Sequence, residues 1–545
     1  MSKISAWIVW LVLLIAMAAC QRPTASENES ATTDAAIADA EPAEEAPAPD
    51  AEGDAAAEQM QRFLALGRLG AKRGVLEKTE AATPGYVLFN PIISAKTYLI
   101  DKDGQVVHMW NTGLGASGGT YLRDDGNLFR TTRNAEAPVF AGGGQGGRFQ
   151  EFSWDGEVVW DVLFGSENFL PHHDVAILPN GNFLGIAWES KTVEAAIALG
   201  RNPEELPQSG MWPDWIFEMK PGGSDDAEIV WEWHLWDHVV QDFDETRDNH
   251  GVVAEHPELL DINAGHLPEP ITQAELEQRK AADRLSTNNS VENWGADMYH
   301  MNAINYNAEL DQIAFSLPGV DEIMIIDHST TTEEAAGHSG GRWGKGGDIL
   351  YRWGNPANYG RGDESDQKLS GQHDVRWIPA GSPGAGNLTV FNNEAQGVGP
   401  AKSSVIELQT PLTDSGYEMN ESNTFGPDAP VWQYMADKPM VFFSPFISGA
   451  NRMPSGNTMI AEGAAGRFFE VDPDGNIVWN YMEPFAGYVK NPDGTSPQPV
   501  GPLVYATFRA THIPIDHPGL AGRDLKPLDP QPPVFVPPEK PATAE

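Results

Sequence analysis

Three histidines occupy one position of a repeated sequence pattern. His173 lies eight residues before the turn glycine of the string LPNG, and His373 lies eight residues before that of IPAG. His300 lies eight residues before Ala308, in the corresponding turn of another repeat. If the repeats share one local structure, three residues that are distant in sequence take equivalent places in the fold.

Three imidazoles at equivalent places indicate a histidine-centred site, and two kinds of chemistry fit it. They could bind zinc or another transition metal, with one position left open for water. Alternatively, one could act as a nucleophile while the others act as acid or base and stabilise charge. The strings HHD, YHMN and QHD place a carboxylate or an amide beside each histidine, which could orient its ring in either case. A hydrogen-bonded structural role is the remaining interpretation.

The elements that carry these histidines are short strands. A strand with an acidic turn, followed by an apolar strand with tryptophan, recurs six times. The tryptophans of these units are Trp110, Trp160, Trp231 together with Trp233, Trp353, Trp432 and Trp479. Most units continue with a further strand pair around a DG, NG or SG turn, which is typical of β-hairpins. Each unit therefore supplies about four short antiparallel strands.

Six such units predict an all-β fold, a six-bladed β-propeller, in preference to two stacked β domains. Equivalent positions at the start of an inner strand would then ring the central axis, where the three histidines would converge. A charged helical segment near residues 269–285 lengthens the third unit and predicts a helical insertion there. His234 and His238 have helical i, i+4 spacing, but no glutamate completes a metalloprotease motif. They are interpreted as rim or packing residues.

The charge balance excludes one class of partner. The 545 residues include 35 Lys+Arg and 78 Asp+Glu, a formal net charge of −43. Nucleic acid would be repelled, because phosphate binding requires a basic patch. The single cysteine excludes a disulfide framework, a thiolate-rich metal site and a CxxC redox centre. An anionic small molecule would need a locally positive funnel in this acidic protein.

The N-terminus predicts export. Residues 1–20 combine one lysine with an apolar run that is too short for an ordinary membrane span, as in a secretory signal peptide. The ending MAAC resembles a bacterial lipobox, so Cys20 is predicted to carry the lipid that holds the mature protein to a membrane. Gln21 in the next place favours the outer membrane, facing the periplasm or the cell surface. An acidic Ala/Pro-rich linker with a short helix (21–84), a catalytic propeller domain (85–520) and a Pro-rich tail (521–545) are predicted to follow.

The strings HHD…LPNGN, YHMNAINYN, GQHD…GNLTVFNN and FSPFISGANRMPSGNTMIAEG resemble those of the bacterial arylsulfotransferases. The resemblance spans most of residues 85–515. It implies a six-bladed propeller that is exported to the periplasm. It also implies transfer of a sulfuryl group from an aryl sulfate ester to a phenolic acceptor, without a nucleotide sulfate donor and without a cofactor.

The resemblance also implies roles for individual residues. His373 would be the nucleophile that becomes transiently sulfated, and His300 with Asn302 would be the acid/base and sulfate-binding pair. His173 would be a further sulfate ligand. The family carries an arginine in the strand after the H-x-N motif, where this chain reads AFSLPGVDEIMII. Arg452 and Arg509, near inner-strand positions, are interpreted as substitutes for it.

Two rival functions remain from the residues alone. One is a metal-dependent hydrolase or oxidoreductase that uses the histidine cluster. The other is a non-catalytic propeller that serves as a binding module. A homo-oligomer is compatible with all three functions.

Overall fold

The computed structural model of the chain describes residues 65–92, 94–134, 139–265, 268–281, 288–395, 401–486 and 503–535. Within these residues, six antiparallel sheets of four or five strands form the six blades of a β-propeller. The innermost strands of the blades contact one another around a central axis. The predicted all-β, six-bladed fold is therefore confirmed.

Blades 1 to 3 each contain four strands, of which the first named lies nearest the axis and the last at the outer edge. Blade 1 contains β29 (Thr507–Ile513), β2 (Tyr86–Pro91), β3 (Lys96–Ile100) and β4 (Val106–Asn111). Blade 2 contains β5 (Ala116–Leu122), β6 (Leu128–Arg133), β7 (Gly147–Phe152) and β8 (Val158–Leu163). Blade 3 contains β9 (Phe169–Ile177), β10 (Phe183–Glu189), β11 (Asp214–Pro221) and β12 (Ala227–His234).

Blades 4 to 6 follow the same plan, and the last has one extra strand at its outer edge. Blade 4 contains β15 (Ala303–Asn307), β16 (Gln312–Leu317), β17 (Glu322–Asp327) and β18 (Tyr351–Trp353). Blade 5 contains β19 (His373–Trp377), β20 (Leu388–Asn392), β21 (Ser404–Leu408) and β24 (Trp432–Met435). Blade 6 contains β25 (Gly449–Arg452), β26 (Thr458–Glu462), β27 (Arg467–Val471), β28 (Ile477–Met482) and β1 (Gly74–Lys78).

Short elements lie between the blades. Two small sheets pair β13 (Val239–Val240) with β14 (Leu260–Asp261) and β22 (Leu412–Thr413) with β23 (Gly416–Tyr417). The α-helices of the described residues are α1 (Val193–Ala198), α2 (Gln273–Ala281) and α3 (Thr332–Ala335). Short 3-10 helices are Pro203–Glu205, Leu235–Asp237, Val253–Glu255, Pro356–Tyr359, Glu364–Asp366, Gly463–Ala465 and Pro518–Leu520.

The helical insertion predicted near residues 269–285 corresponds to α2. This helix lies on the long connection between blades 3 and 4. Thr272 and Glu275 cap its start reciprocally, since the side chain of each accepts a hydrogen bond from the backbone N–H of the other. Leu276 is the buried anchor of the helix. In the described residues no helix is long and apolar enough to cross a membrane.

The repeated tryptophans join each blade to the next one. The indole N–H of Trp110 in blade 1 donates to the backbone carbonyl of Ser153 in blade 2, at 3.1 Å. The same donation to the following blade recurs around the ring from Trp160 to Asp226, Trp233 to Gly347, Trp353 to Pro427, Trp432 to Pro473 and Trp479 to Lys102. A buried indole that finds an acceptor combines large apolar contact with a fixed direction. The tryptophan repeat therefore positions the blades.

The ring closes by combining strands from distant parts of the chain. The inner strand of blade 1 is β29, which pairs antiparallel with β2 through Val87 and His512. The hairpin that follows each tryptophan in sequence consequently belongs to the next blade, so the sequence repeat is offset from the blade by two strands.

The predicted start of the folded body at residue 85 was too late. Strand β1 lies inside the predicted linker 21–84, yet it pairs with the outer strand of blade 6, where Lys78 lies opposite Trp479. Its five residues, GVLEK, carry no clear alternation that sequence reasoning could use. The signal peptide with Cys20, most of the linker and residues 536–545 lie outside the described residues.

Candidate active site

The three predicted histidines lie in, or just before, the inner strands of three successive blades. His173 is in β9, His300 lies just before β15, and His373 begins β19. The ring centroids of His173 and His300 are 4.5 Å apart at an interplanar angle of 83°. His373 is close enough to contribute to the lowered pKa of His173. The structure thus brings all three side chains to one axial site.

The backbone at this site is strained. His173 and His300 have φ angles of 50° and 57°, and Asp374 beside His373 has a φ of 55°. Residues with a Cβ rarely adopt this left-handed region, at a cost of about 1–3 kcal/mol each. At the matching place in blade 2 stands Gly118, where a Cβ would lie only 1.6 Å from the carbonyl oxygen of His173. The inner strands of blades 2 and 3 therefore approach each other closely at His173.

His300 has a dedicated carboxylate partner. Its Nδ1 lies 2.5 Å from Oδ2 of Asp297, whose Oδ1 accepts the indole N–H of Trp188 at 2.8 Å. Burial alone would lower the pKa of His300, but the charge and hydrogen bond of Asp297 raise it above the usual value. With 27% of its side chain exposed, His300 is accessible from the axis. This pair is suited to general acid–base catalysis.

His173 is the end of a buried chain of groups. His172 stacks on Trp188 with ring centroids 4.0 Å apart, and its Nδ1 lies 2.9 Å from Nδ1 of His173. The other nitrogen of His172 lies 3.0 Å from Oδ1 of Asp214. Burial raises the pKa of Asp214 far above its usual range, and the charge of Asp297 adds to this. The contact between the two Nδ1 atoms needs one donor and one acceptor, so when Nδ1–H of His172 donates, the Nε2–H of His173 remains as an outer donor.

His373 is held as one neutral tautomer. Its Nδ1 lies 2.9 Å from both the Gly371 carbonyl and Oδ1 of Asn393, so Nδ1 carries the proton. Nε2 consequently has the lone pair, and it accepts the backbone N–H of Ile447 at 3.1 Å. Burial lowers the pKa of His373 to about 3, and the neighbouring His300 adds to the effect. His373 has the electronic form of a nucleophile, with its lone pair covered by one backbone donor.

A glycine-rich segment crosses the histidines. A Cβ on Gly143 would lie 3.8 Å from Nε2 of His300 and 3.9 Å from Nε2 of His173. A Cβ on Gly144 would lie 2.4 Å from the ring of His173, and the carbonyl of Gly144 accepts the His173 backbone N–H at 2.8 Å. The string AGGGQGG at residues 141–147 is therefore the backbone wall of the site. Side chains on these glycines would fill the space next to two imidazoles.

Arg509 lies at the axis, within an ionic cluster. It pairs with Asp174 and, through Nε at 2.9 Å, with Asp374. Tyr121 donates to Asp174 at 2.5 Å, and Arg376 pairs with Asp374 at the same distance. Burial would lower the pKa of Arg509, but the two carboxylates raise it, so the guanidinium stays charged. Its charge in turn contributes to the lowered pKa of His173 and of His373.

Two other predicted ligands have different surroundings. Asn302 is fully buried; its Nδ2 donates to the Gln372 carbonyl at 2.9 Å and its Oδ1 accepts from Ser316 at 2.5 Å. This amide ties the inner strand of blade 4 to blade 5. The structure does not bring Arg452 to the histidines, because its guanidinium pairs with Glu407 at 2.7 Å between blades 5 and 6. Arg452 also lies 4.8 Å from the ring of Trp432.

Sequence reasoning missed Asp297, Asn393 and the segment 141–147. Asp297 stands three residues before His300, outside the strand, and Asn393 follows β20 in the string FNN. The run of glycines that Gln145 interrupts in residues 142–147 was the available signal for a close backbone approach.

The geometry also bears on the metal alternative. Among the described residues, the axial histidines do not place three ligating atoms within 4.8 Å of one another. Both ring nitrogens of His373 are already engaged, one as donor and one as acceptor. This arrangement favours nucleophilic and acid–base chemistry over a shared metal ion.

Six blades around an axis, with histidines on adjacent inner strands, define a β-propeller with an axial histidine site. The comparison with family models agrees with this class. The arylsulfotransferase (ASST) model matches residues 75–483. The chain belongs to the arylsulfotransferase family, which makes it a transferase acting on aryl substrates.

Solved structures similar to this chain are distant. A Bacteroides caccae protein of unknown function has 13% identity and a TM-score of 0.39, over 79% of this chain and 99% of that one. A Lactobacillus plantarum protein has 9% identity and a TM-score of 0.35, over 79% and 100% of the two chains. The periplasmic gluconolactonase of Pseudomonas aeruginosa has 12% identity and a TM-score of 0.35, with the same coverage. No curated protein matches the chain.

Proposed function

We propose that this protein transfers a sulfuryl group from an aryl sulfate ester to a phenolic acceptor through a sulfo-histidine intermediate, without a nucleotide donor. The observation that carries the proposal is the opposed pKa shifts of two neighbouring imidazoles. The pKa of His373 is lowered by burial, whereas Asp297 raises that of His300. Titratable groups whose environments separate their pKa values are typical of a nucleophile or base working with an acid.

In the first half-reaction, the lone pair on Nε2 of His373 attacks the sulfur of the ester. A bond forms between nitrogen and sulfur, and the bond between sulfur and the aryl oxygen breaks. Protonated His300 donates its Nε2 proton to the departing phenolate, which leaves as a phenol. Asp297 stabilises the imidazolium form before this transfer and keeps the ring oriented.

In the second half-reaction, the acceptor phenol takes the place of the first product. Neutral His300 accepts the phenolic proton while the phenol oxygen attacks sulfur. The bond between sulfur and His373 breaks, and its electron pair returns to Nε2. The enzyme ends the cycle with His300 protonated and His373 neutral, as it began.

Binding of the sulfuryl oxygens is assigned to donors around the two rings. The outer N–H of His173 is available when its Nδ1 accepts the proton of Nδ1–H of His172. Arg509 adds positive electrostatic potential, although its own N–H groups are already engaged by two carboxylates, Tyr121 and the Asn302 carbonyl. Asp174 and Asp374 balance the charges of Arg509 and Arg376, so hydrogen-bond donors, and not a net positive charge, would hold the sulfuryl group.

Attack by His373 requires its hydrogen bond from Ile447 to open. A neutral bond of this kind contributes about 0.5–1.5 kcal/mol. Ile447 has a φ of 50°, and a β-branched residue is strained in that region. We expect the donor ester to bind together with a local change at residues 446–448.

Mass spectrometry after incubation with a chromogenic aryl sulfate tests the proposal. A single sulfuryl adduct on His373 and its loss when a phenol is added are the expected results. His373→Ala should lose the adduct and turnover, whereas His512→Ala, near the end of β29 and against the Pro84 carbonyl, should keep both. Absence of any adduct in active wild-type protein would refute the sulfo-histidine step. An adduct on His300 would refute the assignment of the nucleophile.

We further propose that the protein is exported and lipid-anchored through Cys20, in the outer membrane. The support is the signal sequence and the position of the only cysteine at its end. Metabolic labelling with a fatty acid should mark wild-type protein and leave Cys20→Ser unlabelled. Equal labelling of both would contradict the anchor.

A further inference from the structure

A second cluster of histidine and carboxylate lies away from the axis. His238 follows the 3-10 helix Leu235–Asp237 after blade 3. His338 and Asp348 flank the glycine-rich connection that runs from α3 to β18 in blade 4. Among the described residues, these three are the only set of His, Cys, Asp or Glu whose ligating atoms all lie within 4.8 Å of one another.

The distances suit a small divalent ion. Nδ1 of His238 lies 3.0 Å from Oδ1 of Asp348, and Nδ1 of His338 lies 2.7 Å from the same oxygen. Tetrahedral zinc with bonds of about 2.0–2.1 Å sets its ligand atoms about 3.3 Å apart. Both contacts are shorter than this spacing, so a bound ion would move the side chain of His338 outward, where its relative exposure is 62%, and would shift Oδ1 of Asp348 slightly away from Nδ1 of His238.

One ring nitrogen of His238 faces the carboxylate of Asp348. Nε2 of His238 lies 2.7 Å from the Ala335 carbonyl, which can only accept, so Nε2 carries a proton. In a neutral ring, Nδ1 then has a lone pair that faces the carboxylate of Asp348. Both side chains are buried, at 1% and 8% exposure. A proton or a metal ion placed between these two buried atoms would satisfy both of them.

The surroundings of His238 are those of a metal-ligating histidine. Such a ring usually donates its second N–H to a carbonyl or carboxylate, as His238 does to Ala335. Trp233 stacks on it with an interplanar angle of 4° and donates its own N–H to Gly347, the neighbour of Asp348. A Cβ on Gly347 would lie 2.5 Å from Nε2 of His238. The ring of His238 is thus rigidly positioned, while His338 approaches from the solvent side.

We infer that His238, His338 and Asp348 bind a divalent transition metal ion of the zinc class. Two imidazoles and one carboxylate are ligands that zinc prefers, and the fourth position faces solvent, where water completes the coordination. The ion would tie the connection between α3 and β18 to blade 3. Its role is structural, and it is independent of the axial histidines and of the proposed sulfuryl transfer.

Cobalt titration of metal-stripped mature protein tests the inference. Co²⁺ bound by nitrogen and oxygen ligands absorbs visible light, and Zn²⁺ added afterwards should displace it and remove the absorption. We expect one equivalent per chain, and an affinity at least about tenfold lower in His338→Ala. His256→Ala is the matched control, because His256 is also exposed and contacts a carboxylate, that of Glu258, at 3.1 Å. The control should bind as wild type does.

A second set of variants separates this site from the axial one. His300→Ala should leave the titration unchanged, while Asp348→Asn should weaken it and remove the rise in thermal stability produced by Zn²⁺. Binding that is equal in wild type and His338→Ala, or that disappears in His300→Ala, would overturn the inference. A failed sulfuryl-transfer assay would leave these results untouched, so the two proposals fail separately.

Discussion

Replacing Asp297 by asparagine should expose what the carboxylate does for His300. The substitution keeps a side chain of the same shape near Nδ1, but it removes the negative charge that raises the pKa of His300. A hydrogen bond to a charged group contributes about 1.5–3 kcal/mol, against about 0.5–1.5 kcal/mol for a neutral one. The difference of about 1.4 kcal/mol corresponds to about one pKa unit. We therefore expect the pKa of His300 to fall by about one unit in Asp297→Asn.

The pH profile gives the sign of this change. Protonated His300 is the proposed acid, so the rate of ester cleavage falls as pH rises through its pKa. In Asp297→Asn this decline should begin about one pH unit lower. Cleavage of an ester of a weakly acidic phenol should slow by about tenfold to a hundredfold, since its departure depends on proton donation. A chromogenic ester of an acidic phenol should be affected much less.

The control is Asp103→Asn, which removes a carboxylate that is 71% exposed and pairs with Lys78 on the surface. It should leave both the profile and the dependence on the leaving phenol unchanged. An Asp297→Asn enzyme that is slower by the same factor for both esters, with the decline at the wild-type pH, would refute the acid role. Asp297 would then only hold the loop before β15 in place.

The other predictions concern stability and the limits of the site. Arg509→Gln should lower the free energy of unfolding by about 3–5 kcal/mol, because two buried carboxylates lose their partner, and it should also reduce turnover by the folded fraction. Arg452→Gln should lower the stability but leave that turnover unchanged. Equal turnover in the two variants would show that Arg509 does not contribute to the site. His172 and His373 are neutral in the fold, since burial lowers the pKa of each to about 3, whereas unfolded imidazoles titrate near about 6.5. The unfolded chain therefore binds more protons than the folded one below that pH. Urea unfolding should show that stability falls by up to about 1.4 kcal/mol per pH unit for each of these histidines as the pH drops from about 6.5 towards 4. The slope should be smaller in His373→Gln. Trp479→Phe should lower the melting temperature, with about 1–3 kcal/mol lost because a buried carbonyl in blade 1 is left without its donor; an unchanged melting temperature would contradict the role of the indole in joining the blades.

The positions of the three histidines could be predicted because the repeat measures distance along an inner strand. A fixed count of eight residues to a tight turn places each imidazole at the same height in its blade. The same count does not determine which neighbouring sheet a side chain points towards. Arg452 is the last residue of β25, and its side chain enters the space between blades 5 and 6 to meet Glu407. Only the packing of two sheets decides that direction.

The groups that sequence reasoning missed reach the site from irregular segments. Asp297 precedes its strand, and Trp188 of the neighbouring blade fixes its carboxylate. Residues 141–147 come from blade 2 and lie on histidines of blades 3 and 4. Such contacts depend on how blades are placed around the ring, and periodicity within one blade contains no information about them.

The strand that completes the ring has a consequence for the making of the protein. Arg509 is on β29, which among the strands of the described residues is the last to leave the ribosome. In the exported protein that we propose, it is also the last of them to cross the membrane. Until it inserts beside β2, Asp174 and Asp374 face the axis without this cation. A nascent chain in which only this strand is missing would therefore lack a complete site. We expect it to gain sulfuryl-transfer activity only after this strand has been synthesised and translocated.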